Sequence, residues 1–139
     1  MIAIIDYDAG NLKSVEKALL YLGEDCIITR NKDEIYNADK VILPGVGAFG
    51  DAMDKLDSFG MTEVARKTAL DGKPILGICL GLQLMFESSD EAPGRAGIGI
   101  LKGKILAIPP KESYKIPHMG WNSLSVKEDS RLFKGISGN

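Results

Sequence analysis

The sequence predicts an α/β protein: a doubly wound, mostly parallel sheet with an antiparallel extension in its C-terminal third. Three observations predict it. Four short apolar runs recur at 2–5, 26–29, 40–43 and 74–78, and each is continuous rather than alternating, as parallel strands buried on both faces require. Stretches with helical spacing separate the runs, and strand–helix alternation of this kind builds parallel sheets. After Phe86 the pattern changes to turn-rich and alternating segments, which suits antiparallel pairing.

Taken in order, Ile2 to Ile5 reads as the first strand, without the charged region and cleavage site of a signal peptide. Leu12, Val15, Leu19 and Leu22 share one helical face, and Gly23 stands where a helix stop belongs. Cys26 to Thr29 is the second strand, with Cys26 read as core. A short helix is expected over Lys32 to Tyr36, and Lys40 to Leu43 is the third strand. Asp51 reads as an N-cap, with Met53 and Leu56 following on one side, and a further helix runs from Thr62 to Leu70. Pro74 to Ile78 is the fourth strand, and an amphipathic helix follows it. Glu87 to Gly94 is an acidic, turn-rich loop whose plainest reading is a solvated face. Ile98–Leu101 and Lys104–Ile108 read as a hairpin around Lys102-Gly103, and Trp121 to Val126 alternates as a further strand.

Composition narrows the function classes. A chain of 139 residues suits a single domain, 1–139, with a proper core. Its net charge of -2 leaves no basic footprint, so nucleic acid is not expected as a partner. No apolar run approaches the ~20 residues needed to span a bilayer, and no membrane association is expected. Cys26 and Cys79 make neither a disulfide framework nor a metal-ligand spacing. The expectation is a cytoplasmic protein with no metal and no cofactor.

Chemistry concentrates at Gly77-Ile78-Cys79-Leu80-Gly81. This is the G-x-nucleophile-x-G spacing of a strand-to-helix elbow, with cysteine as the nucleophile. A turn that sharp needs small neighbours, which glycine at 77 and 81 supplies. The helix after it aims free N–H groups and its positive end at the sulfur, favouring the thiolate. The N–H of Leu80 is then placed to donate to an oxyanion. The competing reading is a small, inert thiol buried at a tight turn.

The loop at 45–50, Gly45-Val46-Gly47-Ala48-Phe49-Gly50, is a literal G-x-G-x-x-G. A dinucleotide reading is disfavoured because the loop follows the third strand rather than the first, and no acidic residue ends the next strand. Close approach of its backbone to a reacting carbonyl is the better use, with the Val46 N–H as second oxyanion donor.

With these residues in hand the chain resembles a class I glutamine amidotransferase, a flavodoxin-like fold, and within that class the glutaminase subunits of imidazole glycerol phosphate synthases. The resemblance rests on Asp6-Tyr7-Asp8-Ala9-Gly10-Asn11-Leu12, Leu43-Pro44-Gly45-Val46-Gly47-Ala48-Phe49, Gly77-Ile78-Cys79-Leu80-Gly81-Leu82-Gln83 and His118-Met119-Gly120-Trp121-Asn122. It implies hydrolysis of glutamine to glutamate and ammonia through a Cys79 thioester. Leu80, Val46 and Gly47 would serve the reacting centre, and Gly45, Gln83 and Glu91 the substrate, Glu91 through the amino group. For Gln83 the ordinary alternative is a polar residue on the elbow helix. The ammonia would pass to a cyclase subunit with a (β/α)₈ barrel, forming imidazole glycerol phosphate and AICAR in histidine biosynthesis. Asn11, His118, Met119, Trp121 and Asn122 would face that partner. Trp121 suits an interface anchor, with ordinary core packing as its alternative.

One departure stands out. A cysteine nucleophile needs a base, itself oriented by a carboxylate. The resemblance implies a His-x-Glu pair beyond the Trp121 region, whereas the only histidine here is His118. The expectation is therefore a C-terminally incomplete domain, inactive alone. The alternatives are a non-catalytic binding or regulatory module for the cyclase, and a cysteine hydrolase or peptidase of related fold.

Overall fold

The computed structural model describes residues 1–8, 10–111, 115–127 and 129–136. It separates into two compact units, Met1–Ala107 and Ile108–Asn139.

The first unit is built on four parallel strands, β1 (Ile2–Ile5), β2 (Cys26–Thr29), β3 (Lys40–Gly45) and β4 (Ile75–Cys79), in the order β2-β1-β3-β4. This is the flavodoxin-like order, with its switch point between β1 and β3. The expected parallel sheet is therefore present, and β1 is buried along its whole length. β3 runs two residues further than its apolar run, through Pro44 to Gly45. A proline is tolerated there because the pairing with β1 has already stopped at Ile42. β4 lies at the open edge of the sheet, with Leu76 and Ile78 45% and 38% exposed, so it departs from burial on both faces.

Helices α1 (Leu12–Tyr21), α2 (Lys32–Asn37), α3 (Phe49–Ser58), α4 (Met61–Leu70) and α5 (Leu80–Leu84) connect and follow the strands. Gly23 ends α1 as the sequence suggests. Its φ is +77, its N–H reaches the Leu20 carbonyl, and the Glu24 N–H reaches that of Leu19, a Schellman closure. Asn31 caps α2, its side chain accepting from the Asp33 N–H at 2.9 Å. Asp51 is not a cap. α3 begins at Phe49, so Asp51 sits in its first turn and Ala48 occupies the cap position.

Ala3, Ile5 and Tyr7 from the β1 side and Val41 and Leu43 from β3 join Phe49, Met53, Leu56, Val64 and Leu84 from the helices in one buried cluster. The period-two spacing of Ala3, Ile5 and Tyr7 places all three on the same face of the sheet.

The antiparallel extension is smaller than expected, and the hairpin of 98–101 with 104–108 is absent. Lys104–Ile105 (β6) instead pairs in parallel with Ser88–Ser89 (β5), and the antiparallel contact is a single bridge, Ser88 with Ala96. Ile98 is drawn into the core: its N–H donates to the Leu84 carbonyl at 2.8 Å, and Arg66 grips its carbonyl. In the second unit none of residues 121–127 forms a strand. Among the described residues, no helix is long and apolar enough to cross a membrane.

Candidate active site

The carboxyl ends of β1, β3 and β4 carry the site. Cys79 ends β4 and precedes α5, with φ +55 and ψ -119 and an exposed side chain. A non-glycine residue at positive φ is strained, and such strain collects at functional positions. The two elbow glycines are required by contact. A Cβ on Gly81 would sit 1.9 Å from the Leu43 carbonyl oxygen, and one on Gly77 would sit 2.5 Å from the Leu82 Cα. The helix can fold back on β3 and β4 only because both are glycine.

Sheet register brings the glycine loop to the thiol. Gly45 is the partner of Cys79 in the β3–β4 ladder, so Gly45-Val46-Gly47-Ala48 leaves the sheet directly beside the nucleophile. A Cβ on Gly45 would meet the Gly81 nitrogen at 2.6 Å. The loop backbone and the start of α5 are thus in van der Waals contact. Gly47 has φ +96, and Val46 is 54% exposed. A recess of about 210 Å³ opens between this loop and α3, lined by Val46, Gly47, Ala48, Asp51, Ala52 and Lys55.

The structure thus brings together Cys79, Leu80, Gly45, Val46 and Gly47. Leu80 is buried at the first position of α5, and Gln83 is half-buried one turn along. Glu91 reaches the end of the glycine loop from the acidic segment: its Oε2 accepts the Phe49 N–H at 2.9 Å, at the start of α3. Asn11 is exposed after β1, and its side chain does not cap α1. Gly10 packs on the glycine loop's strand, where a Cβ would stand 3.6 Å from Pro44.

His118, Met119, Trp121 and Asn122 belong to the second unit. There the Asn122 amide donates to His118 Nε2 at 2.6 Å, and Met119 and Trp121 are exposed.

Three contributors were not singled out from the sequence. Tyr7 is buried, and its hydroxyl donates to the Pro44 carbonyl at 2.8 Å. Burial pushes its phenol up to about 12. Its signal was the alternation of Ala3 and Ile5, continued one step past the strand. Arg95 reaches Asp54 at 2.9 Å and Asp57 at 2.6 Å on α3. The Thr62 hydroxyl and then the Arg95 guanidinium hold the Asp57 carboxyl below the usual carboxylate range. Lys55 donates to the Asp8 carbonyl at 2.6 Å, joining α3 to the loop after β1. Beside it, burial raises the Asp6 carboxyl, but Arg30 and the Asp8 N–H outweigh burial and lower it overall.

Comparison with known proteins places the sequence in a family. The sequence model of the family described as "Glutamine amidotransferase class-I" matches residues 3–138. A Bacillus cereus (strain B4264) protein named "Imidazole glycerol phosphate synthase subunit HisH" is 52% identical over 136 residues, covering 98% of this chain and 64% of that protein. A relative of the same name from Methanothermobacter thermautotrophicus is 48% identical over 135 residues, covering 97% of this chain and 66% of the relative. The chain thus spans a little under two thirds of the length of these relatives. A solved structure described as a glutamine amidotransferase superposes with a TM-score of 0.65 at 20% identity, covering 76% of this chain and 56% of the other. That likeness is one of fold.

Proposed function

Because the chain belongs to the class I glutamine amidotransferase family, we propose that Cys79 attacks the side-chain amide carbon of glutamine. The observation that carries this reading is the position of Cys79 at a strained elbow, in register with the glycine loop. The C–S bond forms as the carbonyl π pair moves onto oxygen. The N–H groups of Leu80 and Val46 hold that oxyanion, and Gly47 gives the loop the backbone freedom to aim Val46. Collapse expels ammonia and leaves a glutamyl thioester, which water hydrolyses to glutamate. Gly45 and Gln83 line the substrate, and Glu91 takes its ammonium.

The Cys79 proton has to reach a base and then the leaving nitrogen. Met1–Ala107 contains no histidine, so a His-x-Glu pair of the kind the resemblance implies lies outside the first unit. The 139-residue chain by itself is then at least ~10²-fold slower than a protein that carries the pair. In this reading residues 1–139 belong to one amidotransferase domain, which acts in the cytoplasm.

The relatives' names, subunits of imidazole glycerol phosphate synthase, support a partner. We place the ammonia's use in a (β/α)₈-barrel cyclase subunit that makes imidazole glycerol phosphate and AICAR in histidine biosynthesis. In this reading Asn11 touches that partner, and so, independently, does the segment of His118, Met119, Trp121 and Asn122, with Trp121 as its anchor.

Glutamate release from glutamine, measured with a cyclase subunit present, tests the reading. A fall of ~10³-fold or more in Cys79→Ala is expected. Turnover that survives the substitution would overturn it.

A further inference from the structure

The glycine loop is fastened at both ends. At its start, the Tyr7 hydroxyl holds the Pro44 carbonyl. At its end, Ala48 has the extended backbone of an N-cap, φ -88 and ψ 143, but alanine carries no acceptor, and the helix has no cap from that side chain. The first N–H of α3, that of Phe49, donates instead to Glu91, 42 residues further along. A carboxylate is the favoured occupant of such an end, since it meets both an orphan donor and the positive end of the helix dipole.

The loop that carries Glu91 is itself strapped along α3. The Glu91 N–H donates to the Oγ of buried Ser89 at 3.2 Å. Ala92 lies over Gly50, its Cβ 3.5 Å from where a Cβ on that glycine would stand. Arg95 closes the strap on Asp54 and Asp57, one and two turns along the same helix. The acidic segment is therefore a clasp on α3 whose charged residues Glu87, Asp90 and Glu91 remain exposed, as a solvated face requires.

We propose that Glu91 is a positioning residue: it caps α3 from a distance, and by fixing Phe49 it sets the end of the Gly45–Ala48 loop that presents the Val46 N–H. This rests on the glutaminase reading and adds to the ammonium contact assigned there to the same carboxylate. The two roles separate by substitution. Glu91→Gln keeps a carbonyl oxygen for the Phe49 N–H and loses the charge. Glu91→Ala loses both. Ala48→Ser added to Glu91→Ala places a hydroxyl at a cap position whose backbone already suits one, without restoring a group near the substrate.

The experiment is amide hydrogen exchange of the first turn of α3, Phe49 to Asp51, with glutamine kinetics on the same variants in the presence of a cyclase subunit. Exchange at Phe49 should quicken about tenfold in Glu91→Ala and stay near wild type in Glu91→Gln, while in the double variant the serine hydroxyl accepts from Gly50 or Asp51 and slows exchange of that first turn again. In kinetics, all three variants should raise KM, but only Glu91→Ala should lower kcat, by about tenfold. Unchanged exchange in Glu91→Ala, or a kcat that Ala48→Ser does not restore, would overturn the positioning role. Exchange that follows the expected order, with a Cys79 that a glutamine-analogue electrophile labels in none of the proteins, would leave the clasp standing and overturn the glutaminase reading instead.

Discussion

Gly45 and Cys79 face each other as register partners across the β3–β4 ladder, and a Cβ on Gly45 would press on the Gly81 nitrogen at 2.6 Å. The nucleophile, the loop beside it and the helix behind it therefore share one contact, which only glycine permits at three positions.

The first prediction separates two kinds of glycine. Gly81→Ala drives a methyl into the Leu43 carbonyl oxygen, a backbone atom that cannot yield. It should cost about 3 kcal/mol or more and disrupt the elbow. Gly47→Ala meets nothing within 4 Å and suffers only from its φ of +96. It should cost about 1 to 2 kcal/mol. Denaturant unfolding of both variants checks the order.

The second concerns strain at the nucleophile. Cys79 pays for its φ of +55 with stability. Cys79→Gly should raise stability by about 1 kcal/mol while abolishing thioester formation. A melting temperature that falls would contradict it.

The third concerns the buried phenol. Tyr7→Phe leaves the Pro44 carbonyl without its donor and should cost about 1 kcal/mol at neutral pH. At high pH the sign reverses. Folded Tyr7 holds its proton up to about 12, against 10.0 ordinarily. Its stabilising share is fully present below about pH 10 and is lost as pH rises towards 12. Wild type should lose stability across that window and Tyr7→Phe should not, as alkaline unfolding titrations would show.

The fourth concerns acid. The folded Asp57 carboxyl lies below its ordinary 3.8, through Thr62 and Arg95. Stability from it is present above that ordinary value and is lost as pH falls through the lowered one. Acidification should therefore loosen the Arg95 strap before the core melts, read as faster amide exchange at 89–95. Asp57→Asn should show looser exchange already at neutral pH.

Much of the fold was legible in the sequence. The runs Ile2–Ile5 and Cys26–Thr29 became strands with those bounds, but only the first is buried along its length; β2 is an edge strand, and Cys26 is half-buried rather than core. Gly23 marked the end of α1 through its own backbone preference. Two of the misreadings share a cause: each depended on a distant partner. Asp51 looked like a cap because the real acceptor, Glu91, lies 42 residues from Phe49. Ile98 looked like half of a hairpin, but Arg66 and Leu84 pull it into the core. The elbow was readable as a local motif, yet nothing local says that Gly45 lies opposite Cys79, since strand order decides it. Tyr7 sat within a quoted motif, but its hydrogen bond to Pro44 crosses from one strand end to another.

The most direct measurement is peptide mapping after exposure to a glutamine-analogue electrophile, with and without excess glutamine. A covalent adduct is expected at Cys79, none at the half-buried Cys26, with protection by glutamine. Equal labelling of both cysteines, or labelling of Cys79 that glutamine leaves untouched, would contradict the claim that this elbow is a glutamine site.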